Sequence, residues 1–193
     1  MEPHIILASQ SPRRRELLER IGVPYRSHSV DVDETPHDGE GAEMFVLRMA
    51  LEKARRGYAE AGRQVPALGA DTAVVLDGEI LGKPRDAEHA DAMLERLAGH
   101  THRVVTGVAL VDDREATRLS VSHVTLRAMS PQERQRYWAS GEPADKAGAY
   151  AIQGRGGVFI EHLDGSDSGV MGLPLYETTL LLDEFAVPWR EAW

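Results

Sequence analysis

Two hydrophobic periods alternate along this chain, and the points where they switch mark the elements. The apolar run Ile5 to Ala8 reads as a buried first strand, 4–8. It leads into a helix at Ser11-Pro12-Arg13, with Ser11 as N-cap, Pro12 at the first helical position and Gly22 closing the element. Looser alternation over 25–32 predicts a strand ending at the acidic Asp31, Asp33 and Glu34. Met44, Val46, Leu47, Ala50, Leu51 and Ala54 recur at helical spacing, so 41–60 is an amphipathic helix. Residues 66–81 read as two strands around an Asp77-Gly78 turn, and 86–98 as a helix stopped by Gly99.

Farther along, 104–111 and 119–126 are β-rich and predicted to be adjacent. Ser130-Pro131-Gln132-Glu133 is a capping box opening a helix to about Ala139. The four glycines of 148–157 mark a functional loop, followed by a strand at 158–163, a last helix at 173–185 and a tail at 187–193. This order predicts an α/β (mixed α+β) layered domain. No repeat or polar linker divides the chain, so 1–193 is expected to form one domain.

Composition narrows the chemistry. Among 193 residues there is no cysteine, which excludes thiolate nucleophiles, iron–sulfur clusters and classical zinc sites and fits a reducing cytoplasm. No stretch approaches the roughly 18 apolar residues that span a bilayer. A net charge of −9 would repel a nucleic acid, so a small polyanion can bind only where cations gather locally. All basic residues except Lys53, Lys83 and Lys146 are arginines. A compact ammonium suits a single phosphate oxygen where a planar guanidinium does not, although a lysine is often merely solvated.

Three places carry candidate chemistry. The strand-to-helix turn at Ser9 offers an anion site, and arginines 13, 14 and 15 in the first helical turn oppose the helix dipole unless something negative offsets them. Solvated arginines on an exposed face are the structural alternative, and the P-loop spacing is missing. Asp71 interrupts an otherwise apolar strand and must be paired or metal-bound. The Asp77-Gly78 turn folds Lys83 back toward it, which also allows a plain Asp71–Lys83 ion pair. Asp31, Asp33 and Glu34 stand at a strand end, with Lys53 on the next helix, and carboxylates beside a triphosphate are a usual way to hold Mg²⁺. Together these suit metal-assisted attack of water on a phosphoanhydride. The eight histidines show no ligand spacing.

The motifs Leu7-Ala8-Ser9-x-Ser11-Pro12-Arg13-Arg14, Asp33-Glu34, Glu52-Lys53-Ala54, Gly69-Ala70-Asp71-Thr72, Gly82-Lys83-Pro84, Thr106-Gly107-Val108, the run Asp145 to Gly154, and Gly172-Leu173-Pro174 occur in order. In them the chain resembles the Maf family of nucleotide pyrophosphatases, nearly end to end. That resemblance implies an inosine-triphosphate-pyrophosphatase-like fold, with an elongated, curved mixed sheet flanked by helices and a cleft between two lobes. It also implies that Ser9, Arg13 and Arg14 cradle phosphates, and that Lys53 and Lys83 neutralise them. Glu34 and Asp71 would hold Mg²⁺ or Mn²⁺, with Asp71 as general base.

Arg13, Thr72 and Gln153 match the branch acting on dTTP and UTP. The other branch, acting on 7-methyl-GTP, carries an aromatic residue, Gln and Glu there. An amide such as Gln153 matches the donor between two acceptors of a pyrimidine edge, whereas a cationic methylated guanine favours a carboxylate and an aromatic face. House-cleaning or pool control by hydrolysis of dTTP or UTP, modified pyrimidine triphosphates as an open choice of physiological substrate, a homodimer and a binding role in inhibiting septum formation are further implications. One departure is Gly169, which stands where family members often carry Asn.

Overall fold

The computed structural model describes residues 2–192. Its strands are β1 Ile5–Leu7, β2 Tyr25–Ser27, β3 Ala67–Leu76, β4 Glu79–Leu81, β5 Thr101–Val111, β6 Glu115–Leu126 and β7 Ile160–Asp164. Its α-helices are α1 Pro12–Arg20, α2 Ala42–Glu60, α3 Ala87–Leu97, α4 Pro131–Ala139, α5 Asp167–Met171 and α6 Leu175–Glu184. One seven-stranded sheet runs β2-β1-β3-β5-β6-β7, with β4 paired to β3 off this path. It is mixed: β1 lies parallel to β2 and β3, while β3–β4 and β6–β7 are antiparallel. The expected mixed α/β class is therefore observed.

The chain folds into two compact units. The first holds the residues up to Asp71, Thr106–Ser120 and everything from Gly172 on; the second holds Thr72–Val105 and Val121–Met171. In the first unit, Ile5, Ile6 and Leu7 are buried in succession, as in a parallel strand covered on both faces. The buried stripe of α2 is Ala42, Phe45, Val46, Met49, Ala50, Lys53, Ala54 and Gly57, an i, i+3, i+4 repeat. Met44, assigned to that stripe from sequence, lies off it and is exposed.

Helix α2 meets the sheet at backbone distance. A Cβ at Gly69 would stand 2.1 Å from the Ala50 carbonyl oxygen, and one at Gly107 would stand 2.5 Å from that of Val46. Only glycine permits this approach, and it brings Lys53 down onto β3. In the second unit, Val74, Leu81, Leu94, Leu97, Val104, Leu126, Tyr137 and Phe159 belong to one core. Asp77 and Gly78 both have positive φ, giving the expected tight turn between β3 and β4.

Several boundaries differ from the sequence reading. The predicted strand 25–32 ends at Ser27, because β1, the strand it pairs with, is three residues long. Asp31, Asp33 and Glu34 therefore lie in irregular chain rather than at a strand end. Ser11 occupies the N-cap position, but its side chain makes no cap bond. β5 and β6 are longer than expected, β7 starts at Ile160 rather than Val158, and the short α5 has no counterpart in the sequence reading. In the predicted tail, Val187 and Trp189 are buried and Trp189 donates its indole N–H to Asp183; Trp193 lies outside the described residues. The Ser130–Glu133 capping box forms as expected.

Candidate active site

The first unit gathers most of the sequence-predicted site. β1 and β3 run parallel with Leu7 beside Leu68, so Ser9 lies two residues beyond this pair on one chain segment and Asp71 three residues beyond it, within β3. Ser9 is buried, and its Oγ accepts from the Ser11 N–H at 3.1 Å and from Arg14 Nη1 at 3.3 Å. Arg14 also donates Nε–H to the Gly172 carbonyl at 2.8 Å. The guanidinium at the start of α1 is thus turned back onto the Ser9 turn rather than out into water. Burial lowers the Arg14 pKa and Arg13 adds to this, while the Asp71 and Glu34 carboxylates oppose it. The negative groups that should offset an arginine-rich first turn are therefore Asp71 and Glu34.

These two carboxylates converge on one cation. Lys53 Nζ lies 2.6 Å from Asp71 Oδ1 and 2.6 Å from Glu34 Oε1. The Lys53 and Asp71 side chains are only 11% and 14% exposed, whereas that of Glu34 is 57% exposed. Lys53 reaches Asp71 because it occupies the buried stripe of α2, beside the glycine-packed Ala50 and Ala54. The sequence signals were the rarity of lysine among the basic residues and an aspartate in an apolar strand. The lysine that bonds Asp71 Oδ1, at 2.6 Å, is Lys53 on α2.

The loop carrying Glu34 is anchored from α2. Arg48 donates to both Glu40 oxygens at 2.7 and 2.6 Å and to the Thr35 carbonyl at 3.1 Å. The Arg48 guanidinium holds the Glu40 carboxyl well below its ordinary value. Asp33 accepts from the Thr35 N–H, which makes it a turn residue. Neither Glu40 nor Arg48 was singled out from sequence; their signal was opposite charges on a loop and the following helix.

The remaining predicted residues belong to the second unit. Thr72 follows Asp71 on β3 and is half-buried. Lys83 is exposed, two residues beyond β4, and the preceding Gly82 carbonyl accepts from the Gly148 N–H at 3.1 Å. Gln153 is half-buried and precedes the 3-10 segment Gly154–Phe159 without making a side-chain cap bond to it. Gly169 N–H donates to Ser166 Oγ, a backbone bond that needs no side chain at that position.

Glu34 and Asp71 offer hard oxygen donors that already meet at one positive centre, which suits a hard divalent cation. Among the described residues no three His, Cys, Asp or Glu side chains cluster closely enough to hold a metal unaided. The donor set therefore fits a cation that takes its other oxygens from a triphosphate and water.

The match to a known family extends across this site. Residues 4–185 match the family described as Maf-like protein.

The chain belongs to the Maf family.

Relatives within it include a dTTP/UTP pyrophosphatase of Alkalilimnicola ehrlichii, 62% identical over 99% of this chain and 97% of that protein. Another, from Methylococcus capsulatus, is 56% identical over 92% of this chain and 89% of that protein. The Ham1 protein of Staphylococcus aureus has a TM-score of 0.54 at 16% identity, covering 94% of this chain and 97% of that one, and so shares the fold. The residues of the Lys53 cluster, Ser9 and Arg14 all fall inside the family match.

Proposed function

We propose that this Maf-family chain, with 1–193 acting as one catalytic domain, hydrolyses dTTP and UTP at the α–β anhydride to the monophosphate and pyrophosphate. The observation that carries the reading is the convergence of Asp71 and Glu34 on Lys53 Nζ, at 2.6 Å each. Membership of the family and relatives named dTTP/UTP pyrophosphatase support it.

In this reading Ser9, Arg13 and Arg14 bind phosphate oxygens, and Lys53 and Lys83 neutralise the charge that builds on them. Glu34 and Asp71 hold a divalent cation, Mg²⁺ or Mn²⁺, which when bound polarises phosphoryl oxygen and helps orient water. Lys53 occupies Asp71 Oδ1, leaving Oδ2 to take the proton of the attacking water. That water adds to phosphorus at the α–β anhydride, and the bond to the bridging oxygen breaks with its electron pair on the departing pyrophosphate. Arg13, Thr72 and Gln153 set the preference for a pyrimidine base, with the Gln153 amide matching its donor and acceptors. The enzyme is further proposed to work in the cytoplasm as a homodimer. Among the described residues no helix is long and apolar enough to cross a membrane.

The test is pyrophosphate release with Mg²⁺ or Mn²⁺ from dTTP, UTP, CTP, GTP and 7-methyl-GTP. Selective turnover of dTTP and UTP is expected. Turnover of 7-methyl-GTP alone would keep the hydrolytic chemistry and overturn the base preference.

A further inference from the structure

The loop that carries Gln153 is held by a carboxylate and a phenol that sequence reasoning passed over. Glu142 Oε1 accepts from the Tyr137 hydroxyl at 2.7 Å and from the Gly156 N–H at 2.8 Å. Its Oε2 accepts from the Arg155 N–H at 2.9 Å. The Tyr137 hydroxyl in turn accepts from the Ala151 N–H at 3.1 Å. The two side chains thus bind backbone on both sides of Gln153, at 151 and at 155–156.

The loop is shaped to admit them. A Cβ at Gly154, whose φ is +82°, would stand 2.6 Å from Glu142 Oε2. One at Gly156 would stand 2.4 Å from the Tyr137 hydroxyl. Tyr137 itself is fixed, buried and packed edge-on against Phe159 at 5.2 Å between centroids. Burial pushes the Glu142 carboxyl up, but the bonds from Tyr137 and the two N–H groups more than offset this and keep it below its ordinary value. A carboxylate accepting several N–H and O–H bonds is a stiff anchor, since charge-assisted bonds are the strong ones.

We propose that Glu142 and Tyr137 are positioning residues that fix the 151–156 loop so that the Gln153 side chain meets the nucleotide base in one orientation. The proposal rests on the reading of Gln153 as a base-contacting residue. Base discrimination by hydrogen bonds demands placement within fractions of an ångström, so a loosened loop costs selectivity before it costs chemistry.

The experiment measures kcat and KM of the full-length protein for dTTP and CTP in Glu142→Gln, Tyr137→Phe, Gln153→Ala and the Glu142→Gln/Gln153→Ala double variant. Glu142→Gln is expected to raise KM for dTTP about tenfold with kcat within about twofold, and to lower the dTTP/CTP ratio of kcat/KM to that of Gln153→Ala. The double variant should lose nothing more, because both changes remove the same contact. Tyr137→Phe keeps the ring packing and loses only the hydroxyl, so it should move the ratio the same way even if Glu142→Gln folds poorly.

Hydrogen exchange without nucleotide should quicken at the Ala151, Arg155 and Gly156 amides in Glu142→Gln and at Ala151 in Tyr137→Phe. A dTTP/CTP ratio moved by Gln153→Ala but by neither other variant overturns the positioning role. A ratio unmoved by Gln153→Ala overturns the reading of Gln153 and the proposal with it. A fall in kcat at constant KM in Glu142→Gln would also sink it, by placing the residue in the chemical step. If the unmodified protein does not turn over dTTP, the underlying function fails, while exchange at these amides still reads the clamp on its own.

Discussion

Lys53 and Arg134 are both buried cations set between two carboxylates, yet the two clusters are built for different ends. Arg134, 6% exposed, donates to Asp91 at 2.7 and 3.3 Å, to Glu95 at 3.2 Å and to the Met129 carbonyl at 3.3 Å. Its carboxylates sit one turn apart on α3 and are 37% and 69% exposed, so the fork staples α4 to α3 while the acids stay wet. Lys53 brings three donors instead of five, and its partners come from a loop and from the middle of a strand. There the carboxylate, Asp71, is sequestered along with the cation. An arginine bonded to surface acids is a fastener. An aspartate held in an apolar strand needs a purpose beyond fastening, because burying its charge is costly.

Removing each cation should separate the two roles, and the largest effect is expected at Lys53. Lys53→Met should lower kcat for dTTP by roughly 10²-fold, by removing charge stabilisation from the reacting phosphates. Steady-state kinetics check this, and an unchanged kcat would reduce Lys53 to a second fastener.

A third buried ionisable group sharpens the contrast, because it has no charge partner. His102 bonds the Tyr150 hydroxyl through Nε2 at 2.7 Å, and its Nδ1 has no hydrogen-bond partner among the described residues. Burial pushes its pKa down to about 4. The folded state therefore keeps the ring neutral, while the unfolded chain takes up a proton below about pH 6.5. Stability should be full above that pH and fall as pH drops toward 4, by up to about 3 kcal/mol. Denaturant titrations across this window, compared with His102→Gln, measure it; an equal slope in the variant would assign the loss to other groups.

Arg134→Met should cost roughly 1.5–3 kcal/mol of stability, the worth of bonds to charged groups, with kcat within about twofold. Chemical denaturation and the nucleotide assay together read this. The smallest effect is expected at Ser130→Ala, which removes the α4 cap at about 1 kcal/mol and leaves nucleotide turnover unchanged.

The contrast also explains what the sequence could reveal. Asp71 was legible because it breaks an apolar strand, and Lys53 because it is one of three lysines in an arginine-rich chain. Arg134 and Glu142 break no such pattern, since polar residues on a helix and in the following turn are ordinary, and only three-dimensional pairing shows what they hold. The capping box at Ser130 and the Asp77-Gly78 turn were readable because their chemistry is local. The end of β2 was not, because a strand extends only as far as its neighbour, and alternation through Val32 says nothing about the length of β1. The five residues of α5 are too few for a period to emerge, and the apolar tail gave no sign that it packs back under Asp183.

The most direct measurement compares dTTP binding and dTTP turnover in the unmodified protein and in Asp71→Asn, both with Mg²⁺ present. Nucleotide binding should stay within a few-fold, while pyrophosphate release should fall by about 10²–10⁴-fold, the worth of a general base. Turnover retained in Asp71→Asn would contradict the central claim that the half-buried aspartate beside Lys53 is there for chemistry.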